Sequence, residues 1–290
     1  MTITAAMVKE LRERTGAGMM DCKKVLTQTG GDMAAAIEEL RIKGAAAAEK
    51  RAGRTAAEGV IVSATDGMAC ALAEINCETD FVAKDDSFRA FSAAVADAVL
   101  AANPRDAAAL ADSAAAVGTT VEAARRELVA KIGENVTVRR FARFDADGGV
   151  VSSYLHGNRI GVMLVLDGGD DALGRDIAMH IAASRPLCIA EEDMDPGVVD
   201  REREILTAQA RESGKPDDII EKMIGGRIRK FLKENTLLGQ PFVKDPDQSV
   251  GALLASRGAS VRRMVRFEVG EGIEKKQDDF VAEVMAQAGA

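Results

Sequence analysis

Residues Gly59 to Thr79 read GVIVSATDGMACALAEINCET, an alternating run broken once, at Asp66-Gly67. A period of two on either side of a dipeptide that tolerates positive φ predicts two antiparallel strands joined by a tight turn. The period then changes. In DDSFRAFSAAVADAVLAA, Phe88, Phe91, Val95 and Val99 share one helical stripe, with Asp85 or Asp86 placed to cap it. Hairpin, corner and helix make one unit, and the corner is CETDFVAKDD, Cys77 to Asp86.

The same order returns at Gly149. GVVSSYLHGNRIGVMLVLDGGDDALGRDIAMHIAAS predicts a strand, a Gly-Asn turn, a strand, an acidic corner and a helix carrying Leu173, Ile177 and Ile181. Two copies of a hairpin-plus-helix unit predict a pseudo-symmetric α+β body in which each antiparallel sheet is covered by its own helix. VTVRRFARF and VRRMVRFEVG read as further strands, the second returning to the second sheet. Thr119 with Glu122 reads as a capping box for TTVEAARRELVAKIGEN.

Ahead of this body stand three short helices, with Val8, Leu11 and Thr15, then Cys22, Val25 and Leu26, then Met33, Ala36, Ile37 and Leu40 at helical spacing. AAAAEKRAGRTAAEG after them reads as a tether, helical or frayed, outside the three-helix core, and Asp32 reads as a cap. Beyond the second unit, Asp195-Pro196 opens a charged helix offering Val198, Val199, Ile205 and Leu206. SGKP breaks it, and the next helix carries Ile220, Met223, Ile224, Arg227, Ile228, Phe231 and Leu232. So narrow a seam predicts a protruding antiparallel helical hairpin. KKQDDFVAEVMAQ reads as a final helix. The predicted organisation is a three-helix module with tether over 1–54, core subdomains over 55–144 and over 145–186 with 235–269, a helical hairpin over 187–234, and a C-terminal helical module over 270–290.

Composition narrows the function. The 290 residues carry 38 basic and 46 acidic side chains, a net charge of -8, which opposes a phosphate backbone and weighs against nucleic acid as a partner. No apolar run reaches membrane-spanning length, and the N-terminus lacks a signal-peptide pattern, so the cytosol is the expected compartment. Cys22, Cys70, Cys77 and Cys188 lack metal-ligand spacing, and the histidines His156 and His180 stand far apart. Neither a phosphate-binding loop nor a nucleophile elbow is present in the sequence, so no cofactor, metal or side-chain catalysis is expected.

Three places could carry function through contact with a partner. At the corner, Asp80 and Phe81 stand together: either Phe81 folds under as a plug while Asp80 caps a turn, or the acid and ring form a wedge that enters a partner's groove. His156, at the end of VVSSYLH, poses the same choice at what reads as the corresponding place of the second unit, and a lone histidine is more often structural. Met19 and Met20 diverge by about 100° around a helix, so one of them is expected on the surface.

LRERTGAGMMDCKKVL, AEKRAGRTAAEGVI, NCETDFVA, SGKPDDIIEKMIGGRIRKF and RFEVGEGIEK together resemble the bacterial elongation factor Ts family over nearly the full chain. The resemblance implies a guanine-nucleotide exchange factor that binds elongation factor Tu, speeds loss of its GDP and holds no nucleotide itself. It implies that Asp80 and Phe81 enter near the partner's magnesium and nucleotide site, with Thr79 and Val82 beside them in contact with the partner. It further implies that His156 with Gly157 forms a second intruding point, that Met19 and Met20 contact the same partner domain, and that the helical hairpin is a coiled-coil arm. A competing reading is a non-catalytic adaptor, since the three-helix module is also similar to ubiquitin-associated-type (UBA-like) binding domains and the arm could serve as a homodimer contact.

Overall fold

The computed structural model describes residues 2–115, 119–211 and 216–274. The predicted last helix and most of the SGKP break lie outside the described residues. Two compact units are present, one from Met1–Val62, Ala73–Phe141 and the segment from Glu268, the other from Ser63–Leu72 and Ala142–Phe267.

The first unit begins with α1 (Ala5–Thr15), α2 (Met19–Gln28) and α3 (Met33–Arg51). Thr4 caps α1 and Asp32 caps α3, each side chain accepting a main-chain N–H of the first turn. Val8, Leu11, Cys22, Val25, Leu26 and Ala36 close a small core, at the spacing the sequence predicts. The tether, however, is no separate linker: α3 continues through the alanine run to Arg51 and packs on α6 (Val121–Ile132). Alanines pay little entropy in a helix, and a cross-helix contact then fixes what propensity began. Gly44 sits at that contact, where a Cβ would lie 3.0 Å from the Ala130 methyl. Gly44→Val should therefore cost about 1–3 kcal/mol by overpacking, read as a lower urea midpoint, although a free tether would tolerate it.

Strands β1 (Glu58–Thr65) and β2 (Ala69–Cys77) turn at Asp66-Gly67, where Asp66 Oδ1 accepts from Met68 N and Ala69 N at 2.8 and 2.7 Å. β2 departs from the expected alternation. All nine of its residues are buried, Glu74 and Asn76 included, because β3 (Thr137–Asp145) flanks it opposite β1 and makes it the central strand. α4 (Asp86–Ala102) is capped by Asp85 and buries Phe88, Phe91, Val95 and Val99 as expected. α5 (Ala107–Asp112) follows, and Thr120, not Thr119, caps α6 by accepting from Ala123 N at 3.2 Å. Glu122 turns away from the cap to Arg125 and Arg126, the stronger partners.

In the second unit β4 (Val150–His156) pairs antiparallel with β5 (Ile160–Asp167), from Val150 opposite Leu166 to His156 opposite Ile160. α7 (Asp171–Ser184) covers them through Leu173, Ile177 and Ile181. α8 (Pro196–Arg211) and α9 (Asp217–Asn235) pack along Val199, Leu206 and Ala210 against Ile220, Ile224, Ile228 and Leu232. Ile205 and Arg227, expected in that seam, point outward, since each neighbours a seam residue and a helix turns about 100° per step. The base of the pair is tied by Leu187 N to Asn235 O at 2.8 Å and by Leu237 N to Cys188 O at 2.9 Å. His180 is fully buried there, its Nε2 3.0 Å from Gln240 Oε1 and its Nδ1 accepting from Val243 N. Burial holds its pKa below the usual histidine value. β6 (Pro241–Phe242), β7 (Asp245–Ser249) and α10 (Val250–Ser256) lead to β8 (Ser260–Glu268), which completes the sheet in the order β4-β5-β8. β3 and β8 carry the same pattern, VRRFARF at 138–144 and VRRMVRF at 261–267, each as the third strand of its sheet.

Candidate functional site

The corner after β2 divides its four motif residues into two that hold and two that present. The chain leaves the strand at Cys77, and Glu78 N and Thr79 N both donate to Glu134 Oε2 at 3.0 Å. The Thr79 hydroxyl donates to Glu134 Oε1 at 2.6 Å and accepts from Val82 N at 3.4 Å. Cys77 Sγ donates to Thr79 O at 3.2 Å, and its burial, with Glu134 and Glu58 nearby, pushes the thiol up to about 12, so it stays protonated. Val82 packs beneath at 9 % exposure. The plug is thus Val82 and not Phe81; Val82, expected to touch a partner, is buried under the corner, and Thr79, likewise expected there, is half-buried with its hydroxyl engaged by Glu134.

Phe81 opens the 3-10 turn Val82–Lys84 and is 80 % exposed. Exposure of a full ring at a strand exit is unusual for a residue type that normally dominates cores. Beside it, Asp80 binds Lys84 Nζ at 2.7 Å; that hydrogen bond holds the carboxyl below its ordinary value, and it is ionised at neutral pH. Lys84 Nζ also lies 6.0 Å from the Phe81 centroid. The corner therefore offers an apolar ring and an anionic group on a backbone that Glu134 and the Thr79 hydroxyl hold on either side.

His156 is exposed at the end of β4, with Tyr154 OH 3.2 Å from its Nδ1. It does not occupy the place corresponding to the first corner. It precedes a three-residue turn, Gly157 to Arg159, and so matches Thr65 ahead of Asp66-Gly67. Gly157 takes φ +58 with nothing within 4 Å of where a Cβ would stand, so backbone geometry and not space selects glycine. The true counterpart of the Asp80-Phe81 corner is Asp167 to Asp170, which carries Gly168 and Gly169, both at φ +74, and no aromatic ring. Met19 and Met20 open α2 and are 59 % and 74 % exposed. Both therefore face outward, because the packed stripe of α2 starts only at Cys22.

Three further residues frame the first corner. Glu134 and Asn135 follow α6; Asn135 N donates to Glu78 Oε1 at 2.6 Å, and its Nδ2 donates to Arg54 O at 2.9 Å. Glu74 lies inside β2, with Arg139 Nη1 at 3.0 Å, Arg140 Nε at 2.6 Å and Gly270 N at 2.8 Å. Burial alone would raise its pKa, but the Gly270 hydrogen bond and the two guanidinium groups outweigh that and hold it low. In sequence Glu74 looked like the polar half of an alternating strand, whereas Glu134 sits in a loop with no periodic signal at all. Among the described residues no group of three or more His, Cys, Asp or Glu side chains is arranged to hold a metal ion, and no helix is long and apolar enough to cross a membrane.

Comparison with known proteins bears on this site directly. The family model described as Elongation factor TS matches residues 78–271, starting at the first residue of the corner that Glu134 holds. Elongation factor Ts of Thioalkalivibrio sulfidiphilus is 60 % identical over 99 % of both chains, and that of Methylococcus capsulatus is 59 % identical over all of both. Elongation factor Ts of Legionella pneumophila strain Paris is 57 % identical over 99 % of this chain and 98 % of its own. Matched along nearly its whole length, corner included, the chain belongs to the elongation factor Ts family, whose members are factors of translation elongation.

Proposed function

We propose that the chain is a guanine-nucleotide exchange factor: it binds elongation factor Tu in the cytoplasm and promotes GDP release, with Asp80 and Phe81 entering near the partner's magnesium and nucleotide site. The observation that carries this reading is Phe81, 80 % exposed on a corner whose neighbours are anchored. Burying such a ring in a partner groove supplies about 1.5–3 kcal/mol. The ionised Asp80 arrives with it and brings negative charge toward polar and cationic groups of the partner's site. GDP and the metal ion belong to the partner, and this chain performs no chemical step of its own.

The driving force is linkage. A factor that binds the nucleotide-free partner more tightly than the GDP form weakens GDP by the same ratio, since coupling between two ligands of one protein is reciprocal. Fast release needs the corner to enter while GDP is still bound. In this reading α1–α3, a UBA-like module, contact the partner through Met19 and Met20. His156 with Gly157 forms a second point of contact, and α8 with α9 forms the projecting arm.

The test is release of a fluorescent GDP analogue from elongation factor Tu. Substoichiometric chain should accelerate release with turnover; binding without acceleration would leave an adaptor in its place. His156→Ala should slow release by a smaller factor than loss of the Phe81 ring. Because the histidine is exposed, its stability cost should stay within about 0.5 kcal/mol. A markedly lower unfolding temperature for that variant would make the histidine structural.

A further inference from the structure

We propose that Glu134 is a positioning residue for the Asp80-Phe81 corner, so that the maximal speed of exchange depends on a carboxylate that never meets the partner's nucleotide. The inference rests on the exchange reading above. An exposed ring has no packing of its own to fix it, so its place is set by the main chain that carries it. That main chain is held from one side: Glu134 accepts both N–H groups of the strand exit at 3.0 Å and the Thr79 hydroxyl at 2.6 Å. Gly133, left-handed at φ +85, ends α6 and swings Glu134 back over the corner. Asn135 extends the grip, donating to Glu78 Oε1 and to the Arg54 carbonyl beyond the end of α3. Two adjacent residues thus hold the strand exit and the exit of the N-terminal helices.

A wedge transmits force only if its root does not yield, and a displacement of about 1 Å in a working geometry costs on the order of a hundredfold in rate. Without the carboxylate, three donors at the root lose their acceptor and turn to water, and the ring is carried on a looser loop. Such a loss is separable from simple unfolding. A smaller folded fraction raises the amount of factor needed for half-maximal release and leaves the maximal rate alone. A loosened root lowers the maximal rate at saturation.

The experiment measures GDP release from elongation factor Tu at saturating full-length chain for wild type, Glu134→Ala and Glu134→Gln, with circular dichroism of each. Glutamine keeps the shape, its carbonyl accepting the two N–H groups and its amide facing the Thr79 oxygen. Glu134→Ala should lower maximal release about tenfold or more, and Glu134→Gln should stay within about twofold of wild type. If Glu134→Ala does not fold, Glu134→Asp, which keeps the charge but draws the carboxylate one methylene back from the strand exit, should show the same loss of maximal release. A maximal rate for the folded Glu134→Ala variant equal to wild type, or an equal fall in both variants, overturns the inference alone. A wild-type chain that does not accelerate release overturns the exchange reading together with it.

Discussion

Phe81→Ala should slow the maximal release of GDP from elongation factor Tu by at least about thirtyfold while leaving the chain as stable as before. The magnitude follows from the kind of residue: a large ring buried at the centre of a contact and truncated to alanine costs about 2 kcal/mol or more, and each 1.4 kcal/mol is a factor of ten. The absence of a stability effect follows from the geometry. The ring is 80 % exposed, and the flexible Lys84 ammonium lies 6.0 Å from its centroid. Val82, not Phe81, fills the space under the corner, so removing the ring opens no cavity. Stopped-flow release at saturating factor, paired with a urea titration, checks both halves. Unchanged maximal release would rule out a wedge role for this ring, and a large stability loss would show that it packs on the chain in solution.

Glu74→Ala should destabilise the first unit by about 3 kcal/mol, because it opens a buried void, takes the carboxylate from Arg139 and leaves Arg140 with Glu271 as its remaining carboxylate at 3.1 Å. It also removes the acceptor for Gly270 N and so frees the segment after β8. The pH dependence has a definite sign. The folded-state pKa of Glu74 lies below its unfolded value of about 4.5, so its contribution is complete above that value and is lost as pH falls through the lower folded value. Wild type should therefore lose stability on acidification below about pH 4.5, and Glu74→Gln should show a lower but flatter profile across that window. Urea midpoints from pH 7 down to pH 3 measure it; parallel profiles would show that Glu74 does not titrate with folding.

Much of this arrangement was legible in the residues. The two hairpins, both covering helices and the cap Asp32 follow from period and turn chemistry, which left the α4 cap between Asp85 and Asp86. The three-helix core follows from spacing alone. What stayed hidden depends on contacts between distant segments. Glu74 and Asn76 kept the period of an exposed face, yet they lie inside a central strand, where arginines 65 and 66 positions away satisfy the carboxylate. The alanine run late in α3 looked unanchored because its anchor, α6, is separated from it by the whole first hairpin. Glu134 carries no pattern of its own, and only its three donors reveal it. In sequence His156 ends its strand ahead of the Gly-Asn turn, where it lies in the fold; what stayed hidden is that this hairpin turn matches Asp66-Gly67 and not the strand-to-helix corner.

The glycines of the second strand-to-helix corner leave no side chain to present between Asp167 and Asp170. A side chain at Gly168 would start 2.4 Å from the carbonyl oxygen of Gly258, and φ +74 there already disfavours any residue but glycine. No point substitution at 168 can raise a matching tip on that half without moving its backbone. Presenting a side chain at position 168 would therefore demand a rebuilt loop instead of a point substitution.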